Sequence, residues 1–161
     1  MIYYLIISLL LYLIYIYIQR INKNKKYNYQ IEKIFEKLKN YKKYNKKNYK
    51  LATKDWNRFI NIINKLNNND ILFYNRDFET AEINFNNSIN HYLSITLSID
   101  NKKEMDELSF IINQLYKEGY NLLYNLSNKL NKKWKENPNI NNKEIILDLS
   151  MNDKNQFFNI Y

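Results

Sequence analysis

The chain opens with seventeen consecutive uncharged residues, Ile2 to Ile18, and a cationic stretch follows them directly. In lipid a backbone must satisfy its own hydrogen bonds, so such a run, which contains neither Gly nor Pro, can only be a helix. At about 1.5 Å per residue it reaches roughly 26 Å, close to the ~30 Å hydrocarbon core of a bilayer. The sequence therefore predicts a single N-terminal transmembrane helix over residues 1–19.

Two other interpretations of this run are a cleavable signal peptide and a buried core helix. A signal peptide has its positive charge before the apolar run and a small-residue cleavage site after it. Here the charges come after the run, and there is no such cleavage site. The five tyrosines of the run and its lack of a polar face disfavour a core helix. The residues assigned to headgroup contact and topology are Arg20, Lys23, Lys25 and Lys26.

One face of the predicted membrane helix is richer in polar groups than the other. Its residues follow a 4-4-3-4 spacing, which brings them to the same side of a helix. They are Tyr4, Ser8, Tyr12, Tyr15 and Gln19. We expect this face to pack on neighbouring membrane helices while the aliphatic face meets lipid. The alternative is that the tyrosines are scattered by the base composition of the gene.

The net charge of +9 is distributed unevenly, because residues 20–54 carry +11 and residues 55–161 carry −2. Cations close to a membrane span set its orientation, with the positive side retained. The sequence thus predicts a basic juxtamembrane helix or linker over 20–54 and a body on the retained side. Anionic headgroups are the favoured partners of these cations. An acidic protein and RNA remain alternatives, although the scarcity of Arg disfavours nucleic acid.

The composition is skewed toward residues with AT-rich codons. Asn, Lys, Ile and Tyr make up more than half of the chain, which has no Val, no Cys and one Gly. In composition, though not in any motif, the chain resembles the mitochondrially encoded small membrane subunits of ciliates. The resemblance implies a single-pass protein of the mitochondrial inner membrane with its C-terminal body in the matrix.

The same resemblance implies a short set of functions. The first is a non-catalytic accessory subunit of a respiratory-chain complex, with cytochrome c oxidase slightly favoured, whose partners are other subunits and membrane lipids. The alternatives are a membrane or peripheral-stalk subunit of ATP synthase and a mitochondrial ribosomal protein that binds rRNA.

The body of the chain reads as all-α, with a helical domain over 55–136. Two heptad-like apolar stripes separated by Asp100 and Asn101 predict an antiparallel helical hairpin, 77–99 and 103–135. The first stripe comprises Phe78, Ala81, Phe85, Ser88, Tyr92, Ile95 and Ile99. The second comprises Met105, Leu108, Ile112, Leu115, Gly119, Leu122, Leu126 and Leu130. Gly119 costs about 1 kcal/mol inside a helix, so either close approach by another element or chance retention explains it.

Helix boundaries come mainly from polar residues, since Gly and Pro are nearly absent. Thr53 or Asp55 is the expected N-cap of a helix before the hairpin, and Asn137-Pro138 is expected to end the hairpin. Residues 144–151 form a short apolar run that is either helix or strand. The C-terminal tail, 137–161, is expected to dock on a partner through Phe157, Phe158, Ile160 and Tyr161.

The sequence contains no motif that indicates catalysis, and no cofactor or metal site is expected. His91 is the only histidine, there is no cysteine, and no Gly-rich phosphate loop exists. The carboxylates of the hairpin are expected to lie on solvated helix faces. We therefore expect a structural subunit and not an enzyme.

Overall fold

The computed structural model describes residues 2–68, 75–137 and 143–147, without the side chains of residues 2, 4, 5 and 19–28. The described residues form four helices and no strand, which confirms the all-α class. The helices are α1 (Ile2–Lys39), α2 (Lys46–Asn68), α3 (Asn75–Thr96) and α4 (Lys102–Glu136). The chain divides into two compact units, residues 1–37 and 38–161.

The first unit is the greater part of α1. This helix continues without a break from the uncharged run through the cationic residues that follow it. Three asparagines between residues 22 and 28 lower its helix propensity by only a few tenths of a kcal/mol each, and neither Gly nor Pro interrupts it. The uncharged run and the first twenty residues of the basic stretch, 20–39, are therefore parts of one continuous helix.

The second unit contains a bundle of α2, α3 and α4. Helices α2 and α3 run antiparallel and share the most extensive interface, in which the Tyr49 and Tyr92 rings meet edge to face and the Ser88 hydroxyl donates to the Ala52 carbonyl. Helix α4 returns antiparallel to α3, with Tyr116 stacked at a tilt against Phe85. The hairpin expected between α3 and α4 is thus one face of a three-helix arrangement.

The predicted stripes account for most of the core. All seven residues of the first stripe are buried. In the second stripe six of eight are buried, while Met105 and Leu122 are partly exposed and Leu123 is buried instead. The buried residues therefore follow the predicted helical period. Near the middle of α4 the buried position shifts by one residue, from Leu122 to Leu123.

The start of α2 differs from the sequence expectation. Thr53 and Asp55 lie inside the helix, and Thr53 donates its hydroxyl to the Tyr49 carbonyl one turn earlier. The helix begins at Lys46, where the Asn45 side chain accepts a hydrogen bond from the Asn48 backbone N–H at 3.0 Å. A Thr or Asp in a helix can bond its own backbone, so neither residue type marks a start by itself.

Both ends of α4 lie at polar residues that were expected to interrupt the helical pattern. Asn101 is the N-cap, and its side-chain oxygen accepts from the Glu104 N–H at 3.2 Å. The helix ends at Glu136, and the C-cap Asn137 precedes the single proline of the chain. Residues 144–147, the described part of the 144–151 run, are neither helix nor strand.

Candidate functional site: the apolar helix and the polar surfaces of the bundle

The N-terminal part of α1 presents an apolar surface around its whole circumference. All thirteen side chains from Ile6 to Ile18 are exposed, and the large apolar ones range from 45% exposed at Ile16 to 66% at Tyr17. Singly exposed apolar residues are normal on a soluble protein. A contiguous apolar surface of this size marks an interaction site.

The expected packing face is only partly described. Tyr12 and Tyr15 are 61% and 59% exposed, and Leu9 and Leu13 on the opposite side are 60% and 54% exposed. The tyrosine face and the aliphatic face therefore have equal access to a partner. Ser8 is also exposed. The side chains of Tyr4, Gln19, Arg20, Lys23, Lys25 and Lys26 lie outside the described residues.

Among the residues whose side chains the structure describes, no helix has an apolar stretch long enough to cross a membrane.

A polar cluster links the turn after α1 to the start of α4. The Tyr41 hydroxyl donates to Glu107 Oε2 at 3.2 Å, and the Tyr44 hydroxyl donates to Glu104 Oε2. The Lys43 ammonium lies 3.7 Å from the same Glu104 oxygen. Burial, and then the hydrogen bond and charge of Glu107, raise the pKa of the Tyr41 hydroxyl. This cluster fixes the Lys-rich turn against the bundle.

The only histidine faces an acid across the α2–α3 interface. His91 Nε2 lies 3.6 Å from Asp55 Oδ2, and Arg58 lies 3.7 Å from the other oxygen of this carboxylate. Of the two serines three residues from His91, Ser94 donates its hydroxyl to the Asn90 carbonyl at 3.0 Å. The other, Ser88, is fully buried and donates its hydroxyl to the Ala52 carbonyl at 2.9 Å. Because that hydroxyl is held inside the interface, Ser88 is not positioned as a nucleophile for His91. The geometry is that of a polar contact between two helices.

Helix α4 carries a row of stacked tyrosines that the sequence analysis missed. Tyr116 stacks on Tyr120 with ring centroids 6.2 Å apart, and Tyr120 stacks on Tyr124 at 6.4 Å. Burial, followed by the charge of Tyr120, raises the pKa of Tyr116. The i, i+4, i+8 spacing of these residues was the available signal.

Several polar contacts hold the described C-terminal residues, 143–147. The Asn131 side chain donates to the Ile145 carbonyl at 3.0 Å and accepts from the Ile145 N–H at 2.9 Å. Lys135 pairs with Glu144 at 3.5 Å. The four expected docking residues, Phe157, Phe158, Ile160 and Tyr161, lie outside the described residues.

The described side chains show no metal site, and the comparisons with other proteins show no relative. Within the described ranges, no group of three or more His, Cys, Asp or Glu side chains is arranged to hold a metal ion. Comparison with protein families, with characterised proteins and with solved structures finds no match.

Proposed function

We propose that the chain is a single-pass accessory subunit of a respiratory-chain complex in the mitochondrial inner membrane, with cytochrome c oxidase the first candidate. Its uncharged N-terminal helix would cross the bilayer. Its bundle would brace neighbouring subunits on the matrix side without catalysing a reaction. The observation that carries this proposal is the contiguous apolar surface of α1 from Ile6 to Ile18, along which every side chain is exposed.

The energetics of that surface favour an apolar environment. Full removal of one Leu or Ile side chain from water contributes about 1.5–3 kcal/mol, and most residues of the segment are Leu or Ile. Isolated helices in water are marginal even when their sequences are good helix formers. A lipid bilayer or other membrane helices would supply the missing contacts, and the tyrosine hydroxyls near both ends would reach the interfaces.

The charge distribution supports the orientation. Four cations follow the uncharged run within eight residues. The retained side of the membrane, the matrix in an inner-membrane protein, would therefore hold the bundle. The assignment to oxidative phosphorylation derives from the compositional resemblance to ciliate mitochondrial subunits.

Membrane anchoring can be tested with a paired set of variants. Two arginines in the middle of the segment, Leu10→Arg with Leu11→Arg, would each cost about 2.5–3.5 kcal/mol at the centre of a membrane helix. We expect this variant to be released by alkaline carbonate. The matched control, Leu97→Arg with Phe110→Arg, changes two exposed apolar residues of the bundle and should stay in the membrane pellet. Release of the unmodified chain by carbonate would refute the anchor.

The complex can be identified by separating native assemblies on a gel and analysing each band by mass spectrometry. Comigration with a respiratory complex supports the proposal, while comigration with ATP synthase reassigns the chain within membrane subunits. Comigration with ribosomal subunits, whichever detergent is used, would overturn it.

A further inference from the structure

The solvent side of α2 contains only lysine, arginine and asparagine. Its exposed residues are Lys46, Lys47, Lys50, Lys54, Asn57, Arg58, Asn61, Asn64, Lys65, Asn67 and Asn68. At about 100° per residue, seven of them fall within an arc of roughly 80°, namely Asn68 at the end of the helix and six residues before it. These six, which we call the basic row, are Lys47, Lys50, Lys54, Arg58, Asn61 and Lys65. The row is straight and extends for roughly 27 Å.

Among the described residues, only Arg58 of the basic row has an acidic partner. The one acidic residue of α2, Asp55, is buried, and it pairs with Arg58 and faces His91. In the parts of the chain that the structure describes, the four lysines of the row have no carboxylate within ion-pair distance. Like charges four residues apart, such as Lys50 and Lys54, repel one another on a helix. An external anionic surface would remove that repulsion.

We propose that the basic row lies on the anionic headgroup layer of the membrane that α1 enters, so that α2 is a second, electrostatic membrane contact. This inference rests on the proposed anchor, because the anchor keeps the bundle at high effective concentration near the surface. The opposite side of α2 is committed to the core, with Trp56 and Phe59 fully buried. The helix therefore contacts headgroups by charge alone and does not insert.

The chemistry of the row favours lipid headgroups over nucleic acid. No aromatic side chain lies on this face, and single-stranded nucleic acids are held largely by bases stacked on aromatic rings. The cations are lysines except for Arg58, whose guanidinium lies beside Asp55, so the paired donors that suit nucleic acids are scarce. A straight, narrow row contacts a flat anionic layer along its whole length.

The chain contains no cysteine, so a single introduced cysteine can carry a probe on either side of the bundle. The full chain is placed in vesicles that contain a headgroup-attached nitroxide quencher. A neutral dye is attached at Asn61→Cys on the row, or at Asn87→Cys on the exposed side of α3 as the matched control. We expect the dye at 61 to be quenched when a third of the phosphatidylcholine is replaced by phosphatidylglycerol. The dye at 87 should not respond.

The charge dependence gives the decisive comparison. About 1 kcal/mol per cation near an anionic membrane corresponds to roughly fivefold in the surface equilibrium. Replacing Lys47, Lys50 and Lys54 by Gln should thus weaken the association of the row with the membrane surface about a hundredfold and abolish the lipid-dependent quenching. The control Lys102→Gln, Lys103→Gln, Lys117→Gln removes the same charge from exposed sites of α4 and should retain it. Salt at 1 M, where the Debye length is about 3 Å, should abolish the quenching both in the unmodified chain and in the control variant.

Three outcomes would overturn the inference. Equal quenching at positions 61 and 87, or quenching unaffected by the row variant, would show that the row does not lie on the bilayer. Row-dependent binding of a labelled RNA oligonucleotide in neutral detergent, without quenching in vesicles, would assign the row to nucleic acid. Carbonate extraction of the same vesicles separates failure of the anchor from failure of the row, because an inserted chain whose row stays unquenched contradicts the row alone.

Discussion

Substitution of Gly119 by alanine tests the closest helix contact in the bundle. An ideal Cβ at Gly119 would lie 2.2 Å from Phe85 Cε2 and 2.7 Å from Phe85 Cδ2, whereas ordinary van der Waals contact begins at 3.4 Å. The Phe85 ring would have to move by about 1.2 Å. It is fully buried, and the rings of Phe59 and Tyr116 lie 5.2 Å and 5.6 Å from its centroid, so there is little room for that movement.

Two opposing effects decide the sign of the change. Alanine has a helix propensity that is better than that of glycine by about 1 kcal/mol. Overpacking of a well-packed core costs about 1–3 kcal/mol, occasionally more. Because the required displacement is large and the ring is enclosed, we place the steric cost near the upper end of that range. The free energy of unfolding should fall by about 1–2 kcal/mol.

The change can be measured by urea unfolding of the full chain in neutral detergent, followed by circular dichroism. Phe85→Leu removes the ring atoms at 2.2 Å and 3.0 Å, so Gly119→Ala should cost less in that background, with a coupling energy of about 1 kcal/mol or more. Asn121→Ala, at an exposed position of the same helix, is the control and should be neutral or slightly stabilising. If Gly119→Ala stabilises the unmodified chain, the close approach of Phe85 is wrong.

Three further substitutions test other parts of the bundle. Burial raises the pKa of Tyr92 well above 10, so its contribution to stability is full below pH 10 and is lost as the pH rises further; Tyr92→Phe should flatten the fall in melting temperature between pH 9.5 and 11.5. Ala52→Leu adds volume at a fully buried position of the α2–α3 interface and should lower the unfolding free energy by about 1–3 kcal/mol; unchanged stability would contradict that packing. Asn131→Ala removes both hydrogen bonds to Ile145, so trypsin should cleave after Lys143 faster than in the unmodified chain, while the global unfolding midpoint should barely change.

The core of the bundle was largely predictable from the sequence because its buried residues recur with a single helical period. A buried helix face recurs every 3.6 residues, and the stripe from Phe78 to Ile99 follows that period without exception. The structure adds what periodicity does not contain, namely which stripes face one another. The sequence paired α3 with α4, whereas the structure gives α3 its more extensive interface with α2.

The Lys-rich stretch around the start of α2, residues 39–50, shows why other parts of the fold were harder to predict. Residues 39–50 are rich in Lys and Asn and have few typical core residues, a composition that indicates a solvated or partner-ordered segment. The structure buries Tyr41 and Tyr49 there, because tyrosine can place its ring in a core while its hydroxyl reaches a polar partner. Among so many cations and asparagines, the spacing of two tyrosines is too weak a signal to start a helix by itself.

The surface residues expected to act in the membrane depend on molecules outside the chain. A tyrosine face and an aliphatic face of α1 are equally exposed in the isolated chain, as Tyr12 and Leu9 show. Under the proposed anchor, the lipid or the helix that covers each face would distinguish the two faces. The distribution of charge fixes an expected orientation without naming a partner, so variants on the two faces of α1 must identify which face meets another subunit.

The few small residues of this chain show how packing constrains a strongly biased composition. The sequence contains two alanines and one glycine, and all three are buried. Ala52 accepts the Ser88 hydroxyl where α2 meets α3, and Gly119 admits the Phe85 ring where α4 meets α3. Lysine and asparagine, in contrast, fill the exposed side of α2. Close helix contacts therefore explain why the chain retains these small residues in spite of its biased composition. On the exposed side of α2 the same bias places lysines, whose positive charge is available for an anionic surface.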